Sequence, residues 1–202
     1  MVDYERLFAG RSIYTGIREE AGGTLYRQVL GAAFDRLPGR LQELHQPGAR
    51  AKWAGRADIV RGRNPLTRLV AALFRFPAAG RDVPVEVEFT TDAAGTQTWR
   101  RSFAGRQMVS RQFRGTGRDE RLLVERFGPF TFGLTLALRD GQLHLIARQW
   151  RLGPLPLPRW LLPTGDSHEA EVDGRFRFHV EIALPILGRV VSYQGWLDNV
   201  DD

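Results

Sequence analysis

Hydrophobic residues change their spacing along the chain, from a helical period in the first third to a strand-like period beyond residue 82. In two early stretches they recur every three or four positions, which predicts amphipathic helices. The first covers Leu25–Leu37 with Thr24 as its N-cap, and Pro38 ends it or starts a second short helix. Another begins at Asn64-Pro65, a capping residue followed by proline at the first helical position, and stops at Pro77.

Beyond residue 82 apolar and polar residues alternate, which is typical of strands with one buried face. About eight to ten strands with hairpin-length links are expected, including a tight turn at Asp140-Gly141 and an earlier strand at Lys52–Arg61. The strands do not alternate with helices, which disfavours a parallel Rossmann-type sheet. We therefore predict an α+β fold: a large, strongly curved antiparallel sheet or partly open, calycin-like β-barrel, with two or three helices in the N-terminal half. The helices are expected to plug its concave side or one open end.

The chain length suits one domain. It has 202 residues, of which 43% are hydrophobic and 26% charged, both ordinary for a globular protein. Residues 1–23 have no clean period, and we predict an N-terminal arm there, partly helical at Tyr4–Phe8. Residues 24–202 are predicted to form a single α+β domain.

Composition excludes several classes of site and location. There are no cysteines, so disulfides, thiolate nucleophiles and cysteine–zinc sites are excluded. No stretch of 18 apolar residues exists, and the first residues lack the basic-then-apolar order of a signal peptide. We therefore expect a cytoplasmic protein without a transmembrane segment.

The formal net charge is +6, and every basic residue except Lys52 is an arginine. Arginines and aromatic residues interleave around Trp99 and Phe113, a pattern that can bind single-stranded nucleic acid. Period-two spacing and nearby acidic residues instead favour solvated arginines. Nucleic acid is therefore disfavoured as a partner.

Motifs for cofactors, metals and nucleophiles are missing. The sequence contains no GxGxxG, GxxxxGK[ST], HExxH or GxSxG. The four histidines lack metal-ligand spacing, so His168, Glu169 and Glu171 would contribute ligands only if the fold brought them together. We predict no cofactor and no metal.

Charged and aromatic residues share faces of the predicted strands. Arg101 lies on the face of Trp99 and Phe103, and period-two spacing likewise puts Arg148 on the face of Trp150. A buried arginine must be paired, so a Glu125–Arg101 or Glu125–Arg148 pair is predicted, either as a ligand anchor or as a structural ion pair. The candidate ligand-binding residues are Trp99, Arg101, Phe103, Glu125, Phe127, Arg148, Trp150, Trp160, Tyr193 and Trp196.

The segment from Gly153 to Pro163 alternates proline with leucine and contains Trp160. Its prolines fix an extended connection, and its leucines are too apolar to be freely solvated. Three interpretations stay open: a lid on a hydrophobic pocket, plain cover for the core, or an exposed contact patch.

Ordered blocks of residues carry a family likeness. They include Phe76-Pro77-Ala78-Ala79-Gly80, Trp99-Arg100-Arg101-Ser102-Phe103, Glu125-Arg126-Phe127-Gly128-Pro129, Leu155-Pro156-Leu157-Pro158, Asp173-Gly174-Arg175-Phe176 and Tyr193-Gln194-Gly195-Trp196-Leu197. Over residues 24–198 the chain resembles the bacterial domain of unknown function 4166 family. The resemblance implies no catalytic residues. It implies a stand-alone protein or a C-terminal partner of short-chain-dehydrogenase-like or saccharopine-dehydrogenase-like proteins, so a separate oxidoreductase is a candidate partner.

Three functions follow as hypotheses. The first is binding of a small apolar or amphipathic molecule, lipid-like or polyketide-like, without a cofactor. The second is a cofactor-independent isomerase or cyclase in which Glu125, His144 or His168 is the general base and Arg101 or Arg148 stabilises an anion. The third is an accessory protein that docks on an NAD(P)-dependent oxidoreductase. A carboxylate or imidazole inside the pocket, within about 3 Å of an arginine or a second acid–base group, would favour catalysis.

Overall fold

Residues 23–200 form an antiparallel β-barrel with three α-helices. It is described by a computed structural model over residues 23–200, so the predicted arm, with Tyr4–Phe8, lies outside the described residues except for Gly23. Eleven strands are present in this range. They are β1 (Arg50–Arg61), β2 (Gly80–Thr91), β3 (Gln97–Phe103), β4 (Arg106–Arg114), β5 (Leu123–Phe127), β6 (Phe130–Arg139), β7 (Gln142–Leu152), β8 (Leu155–Pro156), β9 (Ser167–Val172), β10 (Arg175–Leu184) and β11 (Gly188–Asn199).

Ten of these strands close into a ring in the order β1-β2-β3-β4-β5-β6-β7-β9-β10-β11, with β11 pairing back onto β1. The short β8 pairs with the end of β7. The prediction of an α+β curved antiparallel sheet or barrel is therefore confirmed, and the barrel is closed. The alternation of apolar and polar residues determines which side chains point into the barrel. In β2, Val85, Val87 and Phe89 are buried inside. Glu86 and Glu88 lie outside, where they pair with basic residues of β1.

The helices are α1 (Leu25–Leu30), α2 (Gly39–His45) and α3 (Pro65–Leu73). The predicted first helix is shorter than its apolar pattern, because Gly31 takes φ +56° and the chain continues as a 3₁₀ turn over Gly31–Arg36. Pro38 then precedes α2. α3 begins as predicted, since the Asn64 side chain accepts a hydrogen bond from the Leu66 backbone N–H at 2.9 Å.

Strand directions give the barrel two different ends. At the end we call the closed end, α1 contacts β4 and β6 while α2 contacts β9 and β10, so the two helices span the barrel between opposite walls. Tyr26, Phe34 and Leu41 are fully buried there. The opposite end, which we call the open end, carries α3 and the connections after β3, β5, β7 and β10. α3 is held beside β11, where the Gly62 backbone N–H donates to the Val190 carbonyl at 3.0 Å.

Among residues 23–200, no helix has the length and apolar character needed to cross a bilayer.

Candidate functional site

The barrel encloses a cavity of about 540 Å³, lined mainly by apolar side chains from almost every strand. It extends from Tyr26 and Leu44 of the closed-end helices to Val70 and Leu73 of α3. Most lining residues are buried or half-buried, but Leu73, Thr164 and Gly165 are exposed. The cavity therefore meets solvent at the open end, between α3 and the segment before β9.

Aromatic rings form the wall next to this mouth. Phe74, at the end of α3, lies 4.9 Å from Phe130 between ring centroids. Phe132 and Trp150 stack at 6.2 Å across the β6–β7 pair, and Phe127 meets Phe132 edge-on at 6.3 Å. This part of the cavity offers a large apolar contact area with little rotational freedom.

A carboxylate network lies on the inner face of β3, β4 and β5. Glu125 Oε1 accepts hydrogen bonds from Ser110 Oγ at 2.7 Å, Gln112 Nε2 at 3.1 Å and Arg101 Nη2 at 3.2 Å. Arg101 also donates to Ser110 Oγ at 2.8 Å and lies 4.6 Å over the Trp99 ring. All these bonds use Oε1 of Glu125, and Glu125 lines the cavity.

The network continues to a second acid–base pair at the closed end. Tyr26 donates its hydroxyl to Gln112 Oε1 at 3.2 Å and stacks on the His45 ring at 3.6 Å. His45 Nε2 lies 2.5 Å from Glu169 Oε2, and His45 Nδ1 is buried without a hydrogen-bond partner among the described residues. Glu169 and Tyr26 both line the cavity. The closed end is therefore polar and the mouth aromatic.

Burial raises the pKa values of two tyrosines of this cavity. It raises the pKa of Tyr193 to about 12, where Arg101 lowers the pKa and Glu125 raises it further. The pKa of Tyr26 is also raised well above its ordinary value, first by burial and then by the charges of Glu169 and Glu125. Both phenols are hydrogen-bond donors at neutral pH.

A second cluster of titratable residues lies where β9 pairs with β7, and one of its members, His168, also lines the cavity. His168 Nδ1 is 3.1 Å and His144 Nδ1 is 3.7 Å from Asp166 Oδ1, and the ligand atoms of the three residues lie within 4.8 Å of one another. Partial burial raises the pKa of Asp166, but the His168 hydrogen bond and the charges of His168, His179 and His144 outweigh burial and lower it. Two imidazoles and a carboxylate are ligands suited to a first-row transition metal.

Seven of the predicted ligand-binding residues line the cavity, and so does the candidate base His168. The seven are Trp99, Arg101, Phe103, Glu125, Phe127, Trp150 and Tyr193. Of the two ion pairs predicted for Glu125, the one with Arg101 is present.

The other predicted residues lie outside this cavity. Arg148 is exposed and donates to Thr135 Oγ1 at 3.2 Å. The β6–β7 register shifts at Gly133/Leu134, and this shift puts Arg148 and Trp150 on different faces of β7. Trp196 alternates with Tyr193 to the outside and lies under the Arg175 guanidinium at 4.1 Å. Trp160 is 66% exposed on the 3₁₀ turn Arg159–Leu161. The candidate base His144 belongs to the cluster with Asp166.

Sequence reasoning missed several polar residues of the cavity. Ser110 and Gln112 lie on the same face of β4 as the buried Met108. The period-two spacing of these three residues was the signal that could have placed them inside the barrel. Tyr26 and His45 come from the closed-end helices, and Glu169 from β9. No local sequence pattern relates these three residues, because they come together only when α1 and α2 pack into the closed end and the barrel closes.

A search of curated proteins found no match to this chain. The family model described as a domain of unknown function, DUF4166, matches residues 37–197, which span α2 to nearly the end of β11. This match covers well over half of the sequence and begins after α1, later than the resemblance predicted from residue 24. The chain therefore belongs to the DUF4166 family.

Proposed function

We propose that the protein binds a small neutral amphipathic molecule, lipid-like or polyketide-like, inside the barrel. The observation that carries this proposal is a cavity with a hydrogen-bonded polar network at one end and an aromatic mouth at the other. Its volume of about 540 Å³ lies within the ~300–1,000 Å³ typical of small-molecule pockets.

Charge balance favours a neutral headgroup. The Arg101 guanidinium is already paired with Glu125, and Glu169 is already bonded to His45. An added carboxylate or ammonium would leave an uncompensated charge in a largely apolar space, which costs several kcal/mol. A hydroxyl avoids this cost, because it can donate to the Glu125 carboxylate.

The tail of the ligand would lie along the aromatic wall toward the mouth. Phe74, Phe132 and Trp150 provide that surface, and Leu73 continues it to the outside. Each methylene buried there contributes about 0.8 kcal/mol. The ligand is thus oriented with its headgroup at the closed end.

Displacement of Nile red, a neutral environment-sensitive dye, tests this function. Fatty alcohols and monoacylglycerols should displace the dye, and native mass spectrometry should detect a bound molecule of the same class. Ala147→Trp should abolish binding because Ala147 lines the cavity. Ala137→Trp is the matched control, since Ala137 pairs with His144 and is absent from the cavity lining. Equal dye binding by both variants, or no displacement across the panel, would contradict the proposal.

A second candidate is catalysis of proton transfer on the bound molecule. Two carboxylates that line the cavity support this candidate, because each contacts a cationic or acid–base group: Glu125 lies 3.2 Å from Arg101, and Glu169 lies 2.5 Å from His45. A carboxylate here would remove a proton from carbon next to a carbonyl, and a hydrogen-bond donor would stabilise the resulting oxyanion.

Deuterium exchange separates catalysis from simple binding. A catalyst incubated in D₂O with a bound ketone ligand exchanges the acidic C–H protons of that ligand, whereas a binding protein leaves them unchanged. Glu169→Gln should stop the exchange but retain dye binding if Glu169 is the base. Exchange that equals the rate without protein would reject catalysis and leave binding in place.

A further inference from the structure

We propose that the open end docks on an anionic lipid bilayer, so that the amphipathic ligand passes between bilayer and cavity. The exchange of ligand rests on the proposed function, but the docking surface is defined independently of it. We call this surface the rim: α3 with the flanking residues 62–64 and 74–79, the segment 153–165 and the turn 185–187.

Large apolar side chains project from the rim into solvent. On α3, Leu69 and Leu73 are each 66% exposed, although Val70 of the same helix lines the cavity. Trp160 of the segment 153–165 is also 66% exposed. The turn 185–187 exposes Ile186 to 91%. Apolar surface concentrated in this way is characteristic of an interaction site.

A series of contacts joins these elements along the mouth. Phe74 at the end of α3 packs on Phe130, and Phe130 stacks on Trp150 at 6.5 Å. Trp150 Nε1 donates to the Pro158 carbonyl at 3.0 Å, which ties the segment 153–165 to the same wall. Thr164 then pairs with Ala183 immediately before the turn 185–187. The exposed apolar residues therefore lie along the cavity entrance and belong to one surface.

Charge at the two ends of the barrel selects the kind of partner. The connections at the open end, residues 62–79, 104–105, 128–129, 153–166 and 185–187, contain four arginines and one acidic residue, Asp166. The segments at the closed end, residues 23–49, 92–96, 115–122, 140–141 and 173–174, contain five arginines and seven acidic residues. The open end is thus the positive end of the barrel.

The arginines of the rim are available for an external anion. Arg63, Arg68 and Arg75 are exposed, and none forms an ion pair with an acidic residue in the described part of the chain. Asp166, the one acidic residue of these connections, already faces His168 and His144. Basic residues around an apolar insertion surface, with tryptophan at headgroup depth, match an anionic membrane interface.

The conformation of Ile186 supports a functional apolar tip. Ile186 takes φ +71°, a region that β-branched residues rarely adopt, and its side chain has almost no contact with the protein. Such a conformation is strained, and strained residues are concentrated at functional positions. A polar or glycine residue would fit this turn better unless the apolar side chain itself contacts a partner.

Vesicle co-sedimentation tests the docking surface. The native protein should bind vesicles of phosphatidylcholine with 30% phosphatidylglycerol and should lose most of this binding in pure phosphatidylcholine or in 0.5 M salt. Leu69→Glu combined with Ile186→Glu should weaken binding at least tenfold. The control pair is Val109→Glu with Val172→Glu, since both valines are exposed strand residues outside the rim. Circular dichroism and thermal melting verify that each variant is folded.

Neutralising the rim arginines tests the charge argument separately. The triple variant Arg63→Gln, Arg68→Gln and Arg75→Gln should lose at least tenfold in vesicle affinity and much of the salt dependence. The control triple is Arg36→Gln, Arg118→Gln and Arg121→Gln at the closed end, which should bind vesicles like the native protein. Equal effects of the two triple variants on vesicle binding would overturn the proposal, and so would equal binding to neutral and anionic vesicles. The proposal would also be overturned if the rim bound another protein but bound no vesicles.

The outcome distinguishes docking from ligand binding. Ala147→Trp should still bind anionic vesicles, because only the cavity is filled. A protein that binds vesicles but displaces no Nile red would refute the proposed function and retain docking. A protein that binds ligand in solution but no vesicles would refute docking alone.

The cluster of His144, Asp166 and His168 carries a second, independent inference, that of a transition-metal site. Their ligand atoms lie within 4.8 Å of one another, and the separations of 3.1 and 3.7 Å from Asp166 Oδ1 are close to the spacing of ligands around one ion. Sequence spacing predicted no metal, because the pairing of β7 with β9 is what brings His144 beside His168. The geometry points to Zn²⁺ or a similar ion.

Isothermal titration of the untagged protein with Zn²⁺ tests the site. Binding with one ion per chain is expected, and His144→Ala and His168→Ala should each weaken it at least tenfold. Asp173→Asn is the control at a β-turn outside the cluster. Zinc binding that survives both histidine substitutions, or its absence at millimolar zinc, would overturn the assignment.

Discussion

Arg101 and Glu125 form the ion pair on which the polar network of the cavity depends. Their side chains are 14% and 11% exposed, so neither charge is well solvated. Arg101→Met leaves the carboxylate without its cation and should reduce the free energy of unfolding by about 3–5 kcal/mol. The double variant Arg101→Met with Glu125→Leu should recover most of this loss.

Chemical denaturation of the native protein, both single variants and the double variant gives the coupling between these residues. A loss below about 1 kcal/mol for Arg101→Met would mean that water or another group solvates Glu125. In that case Glu125 would not be the anchor at the closed end.

The raised pKa of Tyr193 lets us predict how the free energy of unfolding changes at alkaline pH. Its pKa is raised by burial from 10.0 to about 12, so the unfolded state loses the proton first as pH increases. The contribution of Tyr193 to the free energy of unfolding should therefore be intact below pH 10 and fall by roughly 3 kcal/mol between pH 10 and pH 12. Tyr193→Phe should show a smaller fall, which urea denaturation at pH 9 to 12 measures. Tyr26, whose pKa is also raised, contributes a separate alkaline loss that is the same in both proteins. A fall of the same size in both proteins would contradict the assigned burial of the phenol.

The strands were predictable from the sequence to the extent that their alternation is regular. Val85, Val87 and Phe89 lie inside as period two requires. The same rule misplaced Arg148 relative to Trp150, since one extra residue in β7 reverses the faces beyond the bulge. A bulge leaves no periodic signal, because its cause is the curvature of the closed barrel. The residues that depend on long-range pairing, such as Glu169 with His45, were likewise inaccessible to local reasoning.

The close pairing of β1 and β11 gives a prediction at the level of the element. A Cβ placed on Gly195 would lie 2.0 Å from the Arg56 carbonyl oxygen of the neighbouring strand, and backbone cannot move aside as a side chain can. Gly195→Ala should therefore reduce the free energy of unfolding by about 3 kcal/mol. Gly48→Ala is the control, because its Cβ would have no neighbour closer than 3.9 Å. Similar melting temperatures for the two variants would show that β11 can shift away from β1.

The whole molecule is a barrel with unlike ends, and this polarity predicts how ligand length affects affinity. The helices α1 and α2 block one end, and the polar network lies beside them. A headgroup held there directs the tail to the mouth, where a long chain can leave the cavity. Affinity for a series of 1-alkanols should thus rise by about 0.8 kcal/mol per methylene and then level off without a decline.

The reverse orientation gives a different curve. A tail pointing at α1 and α2 would meet Tyr26 and Leu44, and each methylene beyond the cavity length would lower the affinity. Glu125→Gln distinguishes the two orientations further, since it changes the headgroup contact and should weaken every alcohol of the series by the same factor. Nile red displacement by alcohols of 6 to 16 carbons, with native protein and Glu125→Gln, measures both effects. A sharp maximum in length, or an effect of Glu125→Gln that depends on chain length, would place the tail at the closed end.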